Sequence, residues 1–166
     1  MTDHPPLILT LELDPDSFRW LDDLRRKHFP PERNVLSAHL TLFHKLDLSQ
    51  IASIGAALRD RPAIIPLSFS GLRSLGGGVA ITVTSPALLA LRAKLVAAVD
   101  GGLTAQDQQG FRPHVTIQNK VTAASARALL DALQADFKPS DGQGIGLQVW
   151  RYLGGPWALH ERLEFG

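Results

Sequence analysis

The chain has no cysteine among its 166 residues, which excludes a thiol nucleophile, a disulfide framework and a thiolate metal site. No apolar run reaches the roughly 18 residues that a membrane-spanning helix needs. The N-terminal segment also lacks a basic stretch followed by an apolar one, so we expect a cytoplasmic protein without a membrane partner. The formal net charge is +1, too small to predict broad nonspecific binding to nucleic acids.

Two further functional patterns are missing. The glycines Gly76–Gly78 are not followed by the Lys-Ser/Thr pair of a phosphate-binding loop, so they indicate a turn rather than a nucleoside triphosphate site. His39 and His114 have no third carboxylate or imidazole near them at metal-ligand spacing. We therefore predict neither a metal nor another cofactor.

The most informative feature that is present is a His-x-Thr pattern that occurs twice. His39 and Thr41 lie in one run of alternating polar and apolar residues, and His114 and Thr116 lie in another. Alternation at period two is typical of a strand buried on one face. The sequence therefore predicts two strands, each presenting an imidazole and a hydroxyl on the same face.

Strand parity adds further candidates to these two faces. It places Phe43 beside His39, and it places Arg112 and Lys120 beside His114. By the same rule His44 falls on the face of the neighbouring leucines, which predicts a packed structural residue. The remaining histidines are expected at the surface.

The order of predicted elements is the same in the two halves of the chain. Each half has a strand, a helix, a His-x-Thr strand, a second helix and a further strand, within residues 7–72 and 79–153. A last strand covers residues 157–165, and residues 101–110 are predicted to be a polar loop. We interpret this as a degenerate duplication within one domain, residues 1–166. The predicted fold class is α+β, with two pseudo-symmetric lobes of antiparallel sheet, helices packed outside, and the two motif strands facing each other across a central cleft.

Three segments of the chain resemble the 2H phosphoesterase superfamily, in particular the 2′-5′ RNA ligase and cyclic phosphodiesterase-like proteins. They are residues 38–43 and 111–117, which hold the motifs, and the tail segment 150–157. The resemblance implies a two-lobed fold, catalysis by His39 and His114 without a metal, and phosphate contacts from Thr41 and Thr116. It also implies RNA ends or small nucleotides with a cyclic phosphate as partners. No obligate protein partner is implied, and a monomer is expected.

The chemistry of the motif residues agrees with this implication. Histidine suits both base and acid because its ordinary pKa, about 6.5, lies close to working pH. Two imidazoles flanking a phosphodiester can activate the nucleophile and protonate the leaving oxygen, while the threonine hydroxyls hold the phosphate. Water as the nucleophile would open a 2′,3′-cyclic phosphate, and a ribose hydroxyl would instead form a 2′-5′ linkage.

We predict four further substrate-binding residues around this centre. Arg112 and Lys120 would bind anionic groups at the ends of the site. Phe43 would stack on a base, and Tyr152 would line the rim from a late strand.

Three alternatives remain open from the sequence. The motif residues could be ordinary strand residues with satisfied polar groups. The protein could be a nucleotide- or RNA-end-binding protein with the same cleft and little activity. It could also be a metallohydrolase that uses the histidines as ligands.

Overall fold

The computed structural model describes residues 4–166, so the first three residues of the predicted domain lie outside the described part of the chain. In this part of the chain, seven strands and five α-helices follow one another. They are β1 (Leu7–Leu13), α1 (Pro15–His28), β2 (Leu40–Leu46), α2 (Leu48–Ala57), β3 (Ile65–Ser74), β4 (Val79–Thr84), α3 (Pro86–Val99), α4 (Ala105–Gln108), β5 (His114–Gln118), α5 (Ala123–Asp136), β6 (Ser140–Tyr152) and β7 (Trp157–Glu164).

All the strand pairs are antiparallel, and the strands form one hydrogen-bonded sheet. The order is β2-β1-β6-β3-β4-β5, with β7 paired to β6 beside this path. The two His-x-Thr strands, β2 and β5, stand at opposite ends of the order and yet lie in contact with each other. The sheet therefore curves so that its two ends meet.

Strand β6 joins the two halves of the sheet. Its first residues pair with β3 and its later residues pair with β1 and β7. Gly144 is the junction, because it pairs with Leu13 on one side and with Ile65 on the other. A Cβ atom at Gly144 would lie 2.7 Å from a methyl carbon of Leu11, so only glycine fits this crossing without displacing the core.

Helix starts agree with the capping residues in the sequence. Asp14, Ser85 and Thr122 each accept a hydrogen bond from a backbone N–H in the first turn of the helix that they precede. Asp47 and Gln50 form a reciprocal capping box at the start of α2. These local signals explain why the helix positions follow from the sequence.

The core lies between the sheet and the helices and is built from the apolar faces of the strands. Leu9 of β1, Ile81 of β4 and Leu147 of β6 are fully buried, as are Leu21 of α1 and Leu88 of α3. The antiparallel α+β architecture predicted from the sequence is confirmed. Two details differ: β6 starts at Ser140, earlier than predicted, and the predicted loop 101–110 contains the short helix α4. Between residues 4 and 166, no helix is long and apolar enough to cross a membrane.

Candidate active site

Each His-x-Thr strand carries a β-bulge directly after its threonine. In β2, Thr41 pairs with Thr10, but Leu9 then pairs with Phe43, so β2 holds one extra residue at that point. In β5, Thr116 pairs with Ala80 and Val79 then pairs with Gln118, which is the same irregularity. A bulge reverses the in-out alternation beyond it. The two halves therefore share this local distortion as well as their order of elements.

His39 directly precedes β2 and His114 is the first residue of β5, and the two rings make the same kind of backbone contact. Nδ1 of His39 lies 2.7 Å from the carbonyl oxygen of Ser37, and Nδ1 of His114 lies 2.9 Å from that of Arg112. Because a carbonyl only accepts hydrogen bonds, each Nδ1 carries the proton. In the neutral ring, Nε2 therefore carries no proton and can accept one.

Both motifs open into one cleft of about 510 Å³ between β2 and β5. Its lining includes His39, Thr41, His114 and Thr116, so the structure brings the four predicted catalytic residues together. The other lining residues come from β2, β3, α3, α4, the segment before β5, and β7: Leu42, His44, Arg73, Arg92, Gln106, Asp107, Gln109, Gly110, Phe111, Arg112 and Trp157.

Of the predicted substrate-binding residues, Arg112 alone lines this cleft. Phe43 is fully buried, so the expectation that it stacks on a base is wrong; the bulge after Thr41 turns its ring into the core. Lys120 is exposed beyond the end of β5, with a φ of +66°, and it does not line the cleft. Tyr152 ends β6 and is exposed away from the cleft lining.

Several cleft residues were missed from the sequence, and His44 is the most prominent. Strand parity predicted a packed residue, but the bulge turns its side chain into the cleft, where 48% of its surface is exposed. Arg73 also faces the cleft; it lies opposite Ala80 in the β3–β4 pairing, and residue patterns do not identify it. Trp157 packs against His39 with 4.7 Å between ring centroids. Its indole forms a wall of the site.

Two buried arginines stabilise the bulges from helices. Arg25 of α1 donates from Nη1 to the carbonyl of Thr116, at 3.1 Å. Arg92 of α3 donates from Nε to the carbonyl of Leu42, at 2.9 Å. A bulge leaves backbone groups without ladder partners, and these charged donors satisfy two of them. Each arginine lies in one half of the chain and holds the motif strand of the other half.

Burial lowers the pKa of His39 to about 4, with the nearby positive charge of Arg25 acting in the same direction. The hydrogen bond to the Ser37 carbonyl opposes this shift. Burial also lowers the pKa of His114, with a smaller contribution from neighbouring cationic side chains. Both motif imidazoles are therefore neutral near pH 7 in the ligand-free protein.

A second groove of about 400 Å³ adjoins the cleft and shares His39 and Trp157 with it. Its walls are mainly apolar and aromatic, from Phe18, Val35 and Trp150 among others. Glu12 is the one carboxylate in its lining, and it is bound by Arg162 at 2.8 Å. Among residues 4–166, no lysine or arginine lines the groove on the side of His39, and Arg162 at its edge is paired with Glu12. The cleft on the side of His114 carries Arg73 and Arg112.

Within residues 4–166, no group of three or more His, Asp or Glu side chains is placed to hold a metal ion together. The cleft histidines are flanked by arginines instead, which favour an anion rather than a cation.

Comparisons with known proteins agree with this geometry. The structure of E. coli LigT complexed with 3'-AMP is 18% identical, with a TM-score of 0.66 over 98% of this chain and 99% of that one. TT0787 of Thermus thermophilus is 17% identical, with a TM-score of 0.67 over 96% and 97% of the two chains. A crystal structure described as a phosphoesterase is 17% identical, with a TM-score of 0.65 over 98% and 99%. These likenesses show a shared fold over nearly the whole chain.

No functionally curated protein has a significant sequence match to the chain. The sequence model of the 2'-5' RNA ligase superfamily does match, over residues 13–156, which include both bulged motif strands and their histidines. The chain therefore belongs to the 2'-5' RNA ligase superfamily, as the resemblance of its paired motifs predicted.

Proposed function

We propose that this protein is a metal-independent phosphoesterase that acts on RNA-type 2′,3′-cyclic phosphate or 2′-5′ phosphodiester substrates by two-histidine acid–base catalysis. The observation that carries the proposal is the shared cleft. His39, Thr41, His114 and Thr116 line it from two bulged strands, and both imidazoles keep Nε2 available. Membership of the superfamily supports the reaction class, and LigT has been solved with 3'-AMP and with phosphate.

His39 is the better candidate for the base in ring opening. Its low pKa keeps it neutral at all pH values above about 5, so its Nε2 is ready to take a proton from water. His114 would then protonate the leaving ribose oxygen. The negative charge of a bound phosphodiester favours the protonated form of a neighbouring imidazole, which would prepare His114 for this role.

Thr41 and Thr116 would position the phosphorus between the two histidines. Their hydroxyls can donate hydrogen bonds to the non-bridging oxygens, and Arg73 and Arg112 would add positive charge on the side of His114. Because these groups are fixed by the strands before substrate binds, little reorganisation would accompany the reaction. The reverse reaction would use the same residues with the acid and base roles exchanged.

The unequal walls of the site favour one orientation of the substrate. The groove beside Trp157 and Trp150 offers aromatic surface without cationic groups, which suits an uncharged base or nucleoside. The arginines on the opposite side suit phosphate oxygens. We therefore place the nucleoside of the substrate along the His39 side and the anionic part along the His114 side.

The test is the turnover of nucleoside 2′,3′-cyclic phosphates and of short RNA ending in a cyclic phosphate, with a chelator present. We expect chelator-resistant formation of a single monoester regioisomer, because fixed acid and base groups select one of the two P–O bonds. Activity that the chelator abolishes, or equal amounts of both regioisomers, would contradict the proposal. Tight binding of these compounds without turnover would identify a nucleotide-binding protein instead.

A further inference from the structure

A third histidine in the cleft has a built support that the other two lack. His44 lies on β2 beyond the bulge, and Nδ1 of its ring lies 3.0 Å from Oδ1 of Asp107. A carboxylate at this separation accepts the Nδ1 proton, so Nε2 is the ring nitrogen that remains for a ligand. His44 is half-exposed in the cleft that holds His39 and His114.

The carboxylate of Asp107 binds the backbone of β2. Its side chain is 1% exposed and accepts hydrogen bonds from the backbone N–H groups of His44, at 2.8 Å, and Lys45, at 3.0 Å. Its own carbonyl accepts from Nη2 of Arg92 at 2.7 Å, and Thr104 caps the short helix α4 that carries it. These contacts fix the carboxylate, and through it the orientation of the His44 ring.

The partners of the three rings differ in charge. The Nδ1 groups of His39 and His114 donate to neutral backbone carbonyls, and burial keeps both rings neutral. His44 donates to a carboxylate instead, and a hydrogen bond to a charged acceptor holds the ring more firmly than one to a neutral carbonyl. An imidazolium carries a second N–H on Nε2, which a neutral Nδ1-protonated ring lacks.

The charged groups around this ring come from every side of the cleft. Asp107 on α4 supplies the negative charge, and Arg92 lies behind it on α3. The cleft itself presents His39, His114, Arg73 and Arg112. This positive surrounding suits a bound anion.

We propose that His44 is a third substrate-binding residue, whose imidazolium, held by Asp107, donates from Nε2 to an oxygen of the phosphate group. The inference rests on the proposed function for its place in the reaction. The His44 site itself is not limited to the substrates of that reaction, because it would bind any phosphate monoester or phosphodiester anion in the cleft. In the proposed reaction His44 adds charge to the phosphate site, and the motif histidines keep the proton transfers.

The test measures the binding of inorganic phosphate and of a nucleoside 2′-monophosphate by calorimetry at about pH 6. His44→Gln should bind both anions about 10-fold more weakly than the wild type, because it loses a charged donor. His160→Gln, which removes an exposed histidine on β7, is the matched control and should bind like the wild type.

Equal phosphate affinity in His44→Gln and wild type would overturn the proposal, and so would a wild-type protein that does not bind phosphate. If His44→Gln loses phosphate binding and the wild type shows no turnover, the His44 site is supported and the proposed function is refuted. If His44→Gln does not fold, the ¹⁵N NMR chemical shifts of the histidine rings in the wild type test the proposal instead. Protonation of Nε2 in His44 on adding phosphate would support the proposal, and an unchanged Nε2 would contradict it.

Discussion

Arg92 on α3 donates from Nε to the carbonyl of Leu42 at 2.9 Å, and its guanidinium lies 4.1 Å above the ring of Phe43. One buried side chain therefore satisfies the backbone of the bulge and covers the residue that the bulge turns inward. Because the bulge also sends His44 outward, this contact connects the packing of the core to the composition of the cleft.

Replacing Arg92 with methionine is expected to lower the free energy of unfolding by about 3 kcal/mol, because two buried carbonyls lose a charged donor. Those carbonyls belong to Leu42 and Asp107. Denaturant unfolding measures the change. Arg127→Met, at an exposed position on α5, is the control and should change stability by less than about 0.5 kcal/mol. Similar stabilities for the two variants would refute this role of Arg92.

Gln118 occupies in β5 the place that Phe43 occupies in β2, because the bulge turns both residues inward. Its Oε1 is buried without a hydrogen-bond partner among residues 4–166. Gln118→Met should therefore raise stability by about 1 kcal/mol, as an unsatisfied acceptor is removed at nearly constant volume. Thermal unfolding checks this, with the exposed Gln134→Met as the control. A melting temperature of Gln118→Met below that of the wild type would contradict this prediction, because it would show that the amide stabilises the fold.

These two bulges also mark the limit of sequence-based prediction for this chain. The strands and helices were predictable because apolar periodicity and capping residues agree along the chain. The faces directly beyond the bulges were not, because one extra residue moves the side chains that follow it to the other side. Phe43 and His44 were consequently assigned to the wrong faces. Lys120 was misplaced because β5 ends at Gln118 and parity has no meaning beyond a strand.

Other omissions have different physical causes. Asp107 lies in a four-residue helix, too short for any periodic pattern, and its importance depends on β2, which is distant in sequence. The early start of β6 was hidden because Gly142 and Gly144 weaken the strand pattern there. The central pair of histidines was predictable because both motifs precede their bulges, where alternation still holds.

The acid limb of the pH–rate profile should report His39. A base must be neutral to act, so kcat/KM rises with pH through the pKa of that base in the free enzyme. With the pKa of His39 at about 4, kcat/KM should be nearly flat from about pH 5 upward on its acid side. An acid limb at the ordinary imidazole pKa of about 6.5 would contradict the assignment of His39 as base.

The same shift makes folding sensitive to acid. A histidine whose pKa is lowered by folding binds its proton more readily in the unfolded chain, so stability is complete above about pH 6.5 and falls as pH drops toward 4. In His39→Gln, the free energy of unfolding should fall with acid by up to about 3 kcal/mol less than it does in the wild type. Urea unfolding of the wild type and His39→Gln at about pH 7 and pH 5 measures it. A wild-type stability that does not fall more steeply than that of the variant would refute the effect.

Trp157 should contribute to substrate binding more than to the chemical step. Trp157→Ala removes the aromatic surface that joins the groove to His39, and the KM for a nucleoside cyclic phosphate should rise about 10-fold with a smaller change in kcat. Leu159→Ala, at an exposed position on the same strand, is the matched control and should leave KM unchanged. An unchanged KM in Trp157→Ala would show that the nucleoside does not bind in this groove.

The central claim is that His39 and His114 act together on one phosphate, and initial rates of 2′,3′-cyclic phosphate opening test it most directly. The enzymes compared are the wild type, His39→Ala, His114→Ala and the double variant, each checked for folding. We predict that each single variant loses at least about 100-fold in kcat, and that the double variant is little slower than the singles because one concerted site has been broken. Near wild-type rates in both single variants would contradict the account.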